Sequence, residues 1–454
     1  MTSRRIFALL TIVPLLLSAC GGTSSNKVTV RWYCCLGGGD GEDQVKVEEA
    51  VVAKFNSSQS KIKLVFEHQP YDAAFDIFST EIRSDNPPDI VGPLGIGGGN
   101  AFPNQWLDLT DLIAAHKYDL TQFPTNIVQI YQFGAEGQIG IPFAYYPSVL
   151  FYKKSLFTEA GLNEPPHKAG EQYVMPDGSK VDWNYDTARQ VAMLLTVDKN
   201  GKDATQAGFD ATKIVQWGYE PQRDDLRQTG ADWAPGKLLA EDGKTAQIPD
   251  AWAASWHWFY DGIWKDHFAM TGPQFQSRDF NPSDYPFFTG NVAMSANYLW
   301  STYGTADAGD DWDIAMLPSY NGKITAAFNA DTFRITKGTK HPEEAWTVLS
   351  YLLGDARADL LGTYVGMPAR ESEQAAFFKT LSEGFPQTID WQVAIDSVQF
   401  ADVPNFESPM PNYNKAFDTI YAAGSDWQTK PNLDLDAEIA KLKTQLQAVF
   451  DQAK

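Results

Sequence analysis

Between residues 27 and 91 the spacing of apolar side chains changes period twice, and that change dictates the fold class. Lys27 to Tyr33 alternates, with Val28, Val30 and Trp32 on one side, and predicts a strand. Val47, Val51 and Phe55 then recur at i, i+4 and i+8, the spacing of one helix face. Ile62 to Phe66 and Asp89 to Val91 predict two further strands. Strand, helix and strand joined by short linkers form a βαβ unit, which commits this part of the chain to an α/β sheet. Ligands of such sheets sit just beyond the carboxyl ends of the strands. Glycine-rich loops fall there twice, at Gly37 to Gly41 and at Gly92 to Gly99. Neither completes G-x-G-x-x-G or ends in G-K-[ST], so a nucleotide-phosphate cradle is rejected and both are taken as flexible loops.

Five later stretches carry the architecture. Tyr145, Tyr146, Val149, Leu150, Phe151 and Tyr152 follow one another almost without a break, as in a strand buried on both faces. Phe287 to Ser295 predicts a Gly290-Asn291 turn feeding a short core strand, Val292 to Met294, with Trp300 just past its end. Trp300 there is either a ligand platform or core. Trp252, Trp256, Phe259 and Ile263 lie at helical spacing, which is core. Pro342 opens a helix whose apolar face is Ala345, Val348, Leu349, Leu352 and Leu353, stopped at Gly354. The tail predicts an amphipathic helix with Leu435, Ile439, Leu442, Leu446 and Val449 on one face.

Residues 1–19 are not expected to belong to the fold. Arg4 and Arg5 precede an apolar run from Ile6 to Leu17, too short to span a bilayer, which needs about 20 residues. Small residues then lead into Cys20. This pattern resembles a bacterial lipoprotein signal, with Cys20 lipidated and residues 20–26 as tether. The chain has 454 residues, room for two ordinary domains, and 57 acids against 36 bases. Loss of Arg4 and Arg5 with the leader takes the formal charge from −21 to −23. No basic stripe is visible, so a nucleic-acid partner is not expected. The 6 His are scattered, no His/Cys cluster forms, and no metal or other cofactor is expected. There is no G-x-S-x-G nucleophile turn. A glycosidase needs only two carboxylates, so that enzyme class stays open as a rival.

Several of these stretches, in order, resemble the sugar-type (family 1) extracellular solute-binding proteins of bacterial ABC transporters. The resemblance rests on Phe287, Gly290, Ala293, Met294 and Trp300, and on Gly140, Pro142, Tyr152, Lys154, Phe157, Ala160, Gly161, Leu162, Pro165 and Pro166. It continues through Ile335, Lys337, Pro342, Glu343, Glu344, Ala345 and Trp346, then Gly366, Pro368 and Arg370. Lys153 stands where the family has Asn, and the family's T-W-D-E after the prolines is missing. His167 to Val181 looks like an inserted hairpin with an Asp177-Gly178 turn.

The resemblance implies an α/β, two-lobed, type II periplasmic-binding-protein-like fold, its lobes joined by three crossing segments with the ligand cleft between them. The N-terminal lobe would be 27–143 plus 329–368, the C-terminal lobe 144–328 plus 369–454. It implies a non-enzymatic lipoprotein on the outer face of the cytoplasmic membrane. Such a protein, expected as a monomer, captures a sugar or oligosaccharide and hands it to permease subunits with their ATPase. Its cleft candidates are Trp32, Asp40, Tyr145, Tyr146, Trp217, Asn297, Trp300, Asn329 and Asp331. A non-sugar ligand, such as a phosphodiester or an oligopeptide, is the rival within the same fold.

Cys34 and Cys35 have no thiol partner other than each other once Cys20 is lipidated. They are either two free cysteines, one facing the core, or a vicinal disulfide. A disulfide would offer a flat apolar plate to a sugar's C–H face.

Overall fold

The computed structural model describes residues 27–133, 136–221, 225–277, 286–289, 291–302 and 311–453. The leader, Cys20, the tether and Gly290 lie outside them. The predicted βαβ start is present as β1 (Val28–Cys34), α1 (Glu42–Ser58), β2 (Ile62–His68), α2 (Tyr71–Glu81) and β3 (Ile90–Leu94). β1 lies between β2 and β3, parallel to both. The buried face of α1 is Gln44, Glu48, Val51 and Phe55; it keeps Val51 and Phe55 of the expected stripe, with Val47 only half-buried. Two polar residues occupy core positions because each has a job there. Gln44 accepts from the Gly39 and Gly41 N–H groups and donates to the Thr363 carbonyl. Glu48 accepts from Tyr364.

The long apolar run is two strands, β4 (Ala144–Pro147) and β5 (Val149–Lys153), both wholly buried. The break is Ser148, whose N–H donates to the Ala327 carbonyl and whose hydroxyl donates to Asp232. At that residue the chain changes sheets. β5 becomes the middle of a three-stranded antiparallel sheet between β6 (Met294–Asn297) and β7 (Trp312–Ala315). β6 begins two residues later than the sequence predicts. β4 pairs antiparallel with β8 (Phe328–Ile335) and β9 (Met367–Pro368). β8 also pairs antiparallel with β3, completing a six-stranded sheet in the order β9-β4-β8-β3-β1-β2. The three predicted crossing segments therefore lie side by side.

Helices cover these sheets. α3 (Asp250–Trp264) buries Trp252, Trp256, Phe259 and Ile263, so the aromatic stripe is core as expected. α4 (Pro342–Leu352) starts at its proline, and α5 (Arg357–Tyr364) carries Tyr364 to Glu48. α6 (Tyr413–Thr429) packs on α7 (Leu435–Phe450), which buries Leu435, Leu442, Leu446 and Val449. The inserted hairpin is present, Gln172–Val174 against Lys180–Asp182, with Gly178 at φ 85° in its turn. Among the described residues no helix is long and apolar enough to cross a membrane.

Candidate ligand cleft

The pairing of β4 with β8 sets the centre of the site. Tyr146 opposes Asn329 and Ala144 opposes Asp331, so these residues share one face of the crossing strands. Tyr146 donates its hydroxyl to Asp331 Oδ2 at 3.3 Å. Burial pushes the Asp331 carboxyl up to about 7 against that hydrogen bond. Gly95, immediately past the carboxyl end of β3, adjoins the same carboxylate: a Cβ there would lie 3.7 Å from Asp331 Oδ1. The Tyr146 ring lies 4.9 Å from that of Trp300, which stacks on Tyr298 at 4.2 Å. Trp300 keeps part of its surface exposed. It rides on a 3₁₀ turn, Leu299–Thr302, fastened by Asn297, whose Oδ1 accepts from the Tyr298 N–H and the Ser301 hydroxyl.

The structure thus brings Tyr146, Asn329, Asp331 and Trp300 together, with Asn297 as the residue that positions Trp300. The other candidates lie apart from this group. Trp32 is fully buried between Phe66 and Phe333 and donates its indole N–H to the Gly92 carbonyl, so it is core. Trp217 is also fully buried, its backbone bridged to Asn291 and Ala293. Tyr145 points to the opposite face of β4 from Tyr146, packed on Phe328. Asp40 is exposed and accepts from the Tyr71 N–H. Cys34 and Cys35 are joined by a disulfide across a cis peptide, and both are 0% exposed. The disulfide is present, but as part of the core behind α1, with Cys34 Sγ 3.5 Å from Glu48 Oε1, rather than as an open plate.

Sequence reasoning missed a second set. Glu407 accepts from the Gly97 N–H at 2.9 Å, and its carbonyl accepts from Asn100 at 2.7 Å. A side chain at Gly97 would have to push these groups aside, because a Cβ would sit 2.4 Å from Glu407 Oε1 and 2.7 Å from Tyr413 Oη. Arg227, buried, pairs with Asp225 at 2.6 Å and donates to the Tyr413 hydroxyl at 3.3 Å. Nothing in the spacing of residues 402–413 signals this role, since the segment is irregular and proline-rich.

The model of one family, described as bacterial extracellular solute-binding protein, matches residues 50–384. The chain belongs to that family. No curated protein sequence matches it significantly. Among solved structures it is similar to the substrate-binding protein Lmo0181 from Listeria monocytogenes in complex with cycloalternan. That match has a TM-score of 0.72 and 16% identity and covers 94% of this chain and 99% of that one. The sugar-binding protein MalE from Xanthomonas citri matches at TM-score 0.71 and 15% identity, over 94% and 98% of the two chains. UspC of M. tuberculosis matches at 0.67 and 18%, over 93% and 100%. At these identities the structures share the fold, and the fold is the two-lobed one expected. The solute-binding protein is extracellular by family.

Proposed function

We propose that this solute-binding protein captures a sugar or oligosaccharide for an ABC importer. The observation that carries the reading is the partly exposed Trp300 ring beside Tyr146, Asn329 and Asp331 at the crossing strands. An aromatic face flanked by hydroxyl, amide and carboxyl groups suits the alternation of C–H faces and hydroxyls on a pyranose. Cycloalternan in the Listeria protein and maltotriose in the MalE of Bdellovibrio bacteriovorus support the same ligand class.

The lobes are proposed as 27–143 with 329–368, and 144–328 with 369–454. Binding contacts from both lobes make the closed form the tighter one, so ligand shifts the population toward closure. The closed form would dock on permease subunits driven by an ATPase. After loss of the leader 1–19, lipidated Cys20 and the tether 20–26 would hold the protein at the outer face of the cytoplasmic membrane.

Titration calorimetry against a panel of mono- and oligosaccharides, a glycerophosphodiester and a short peptide tests the reading. Saturable heat with one sugar and no turnover is expected. Binding of only the phosphodiester or the peptide would move the ligand class, and release of hydrolysed product would make the protein a glycosidase.

A further inference from the structure

The glycine-rich turn after β3 lacks a nucleotide-binding pattern, yet it covers a buried cation. Arg334, on β8, is 0% exposed. None of its three guanidinium nitrogens has a hydrogen-bond partner among the described residues. Arg227 shows the contrast: equally buried, it is held by Asp225 and Tyr413. Two acidic groups whose field reaches Arg334 are engaged elsewhere, Glu407 by the Gly97 N–H and Glu136 by the Asn104 N–H.

The surroundings define which sides of the guanidinium are closed. Its carbon lies over the Trp106 ring at 5.3 Å and over the Tyr131 ring at 6.0 Å. The Gly99 Cα lies against it, since a Cβ there would sit 2.1 Å from Cζ. The Gly99 carbonyl is taken by the Trp106 indole N–H at 2.8 Å. Tyr131 is also 0% exposed, and its hydroxyl has no partner among the described residues. Aromatic faces favour a guanidinium but accept none of its in-plane N–H groups. A buried charge whose donors stay unmet is among the costliest arrangements a fold can carry.

We propose that Arg334 and the Tyr131 hydroxyl bind a small monovalent inorganic anion of chloride size beneath the Gly97–Gly99 turn. The anion accepts from the guanidinium edge and from the phenol O–H, and it neutralises the cation without entering the sugar cleft. The proposal rests on Arg334 and its neighbours alone and stands whichever solute the cleft takes.

The test is thermal unfolding of the whole mature protein at fixed ionic strength, with chloride exchanged against gluconate, an anion far larger than the chloride-sized one proposed. A ligand bound only by the folded state raises the melting temperature with its concentration. The midpoint should climb by roughly 2 °C or more over a hundredfold rise in chloride. Arg334→Met should abolish that dependence. Crystals grown in bromide should show one anomalous peak within hydrogen-bond distance of the guanidinium. Equal melting in chloride and gluconate, or a bromide map with no peak on Arg334, overturns the proposal. The bromide map decides alone if the variant does not fold.

Discussion

Trp300 and Trp32 are the same side chain with opposite fates, and the reason lies in what each backbone offers. Trp32 continues the inward alternation of Val28 and Val30, so the strand alone placed it in the core, and only the resemblance drew it toward the cleft. Trp300 stands on a short turn with one ring face against Tyr298 and surface to spare. Trp300→Ala should therefore weaken sugar binding by about 2 kcal/mol or more, as for an aromatic anchor. Its melting temperature should scarcely move. Trp32→Ala should do the reverse in its primary effect, destabilising the fold by about 3–5 kcal/mol. Calorimetry and denaturant unfolding of the two variants separate these outcomes, and a stability loss at Trp300 with normal affinity would return that residue to the core.

Glu48 is a residue-scale feature with a pH signature. Burial pushes its carboxyl up to about 8, opposed by the Tyr364 hydrogen bond. The unfolded chain gives up that proton near the ordinary value of 4.5, the folded chain only near 8. The contribution of Glu48 is therefore complete below the unfolded value and declines as pH rises through that window. Glu48→Gln keeps an acceptor for Tyr364 but cannot ionise. It should be the more stable form at alkaline pH, by on the order of 3 kcal/mol. Melting curves from acid to alkaline pH check this, and parallel profiles for the two proteins would remove Glu48 from the account.

At the scale of elements, periodicity reached the kind of element and stopped at its joints. The helices at Pro342 and in the tail were legible because several apolar residues repeat at 3.6 spacing. The helix α1 was legible too, and so were Val51 and Phe55 of its buried stripe, but Gln44 and Glu48 were not, since they are polar and are buried for hydrogen bonds that reach Gly39, Gly41, Thr363 and Tyr364. The run 145–152 was legible as buried, whereas its division at Ser148 depends on Asp232 and Ala327, far away in sequence. Asp232 Oδ1 also accepts from the Ala327 N–H at 3.0 Å, so one carboxyl pins two crossing segments where they leave their sheets. Asp232→Ala leaves both donors buried and unmet and should cost about 2 kcal/mol or more, while Asp232→Asn, which keeps an acceptor oxygen, should cost less. Denaturant unfolding distinguishes them. The Cys34–Cys35 pair belongs to the same scale, as the join between β1 and its loop. Alkylation after denaturation without reductant should add nothing to the monomer mass, and two added groups would count against the bond.

At the scale of the whole molecule, the order of weak motifs carried more than any one of them, because each marks a place in the same topology. Gly140 to Tyr152, Phe328 to Ile335 and Gly366 to Arg370 were separate fragments in sequence, and they meet as β4, β8 and β9. What the order did not carry is which loops touch across the cleft. Glu407 comes from the segment assigned to the C-terminal lobe, and it bonds Gly97 and Asn100 in the segment assigned to the N-terminal lobe. Such a contact is made only when the two lobes are close. With the lobes bounded as proposed, Glu407 would favour closure whether or not it touches ligand, and removing it should lower the population of the closed form. A ligand binding mainly that form then binds more weakly in proportion to the lost population. Small-angle scattering of the wild type should show a smaller radius of gyration at saturating sugar than without it. Glu407→Ala should start larger without ligand, reach the same compact value at saturation, and need more sugar to get there. A wild-type profile unchanged at saturation would count against a hinged cleft. A Glu407→Ala protein with wild-type radii and affinity would place the 97–407 contact outside the closure.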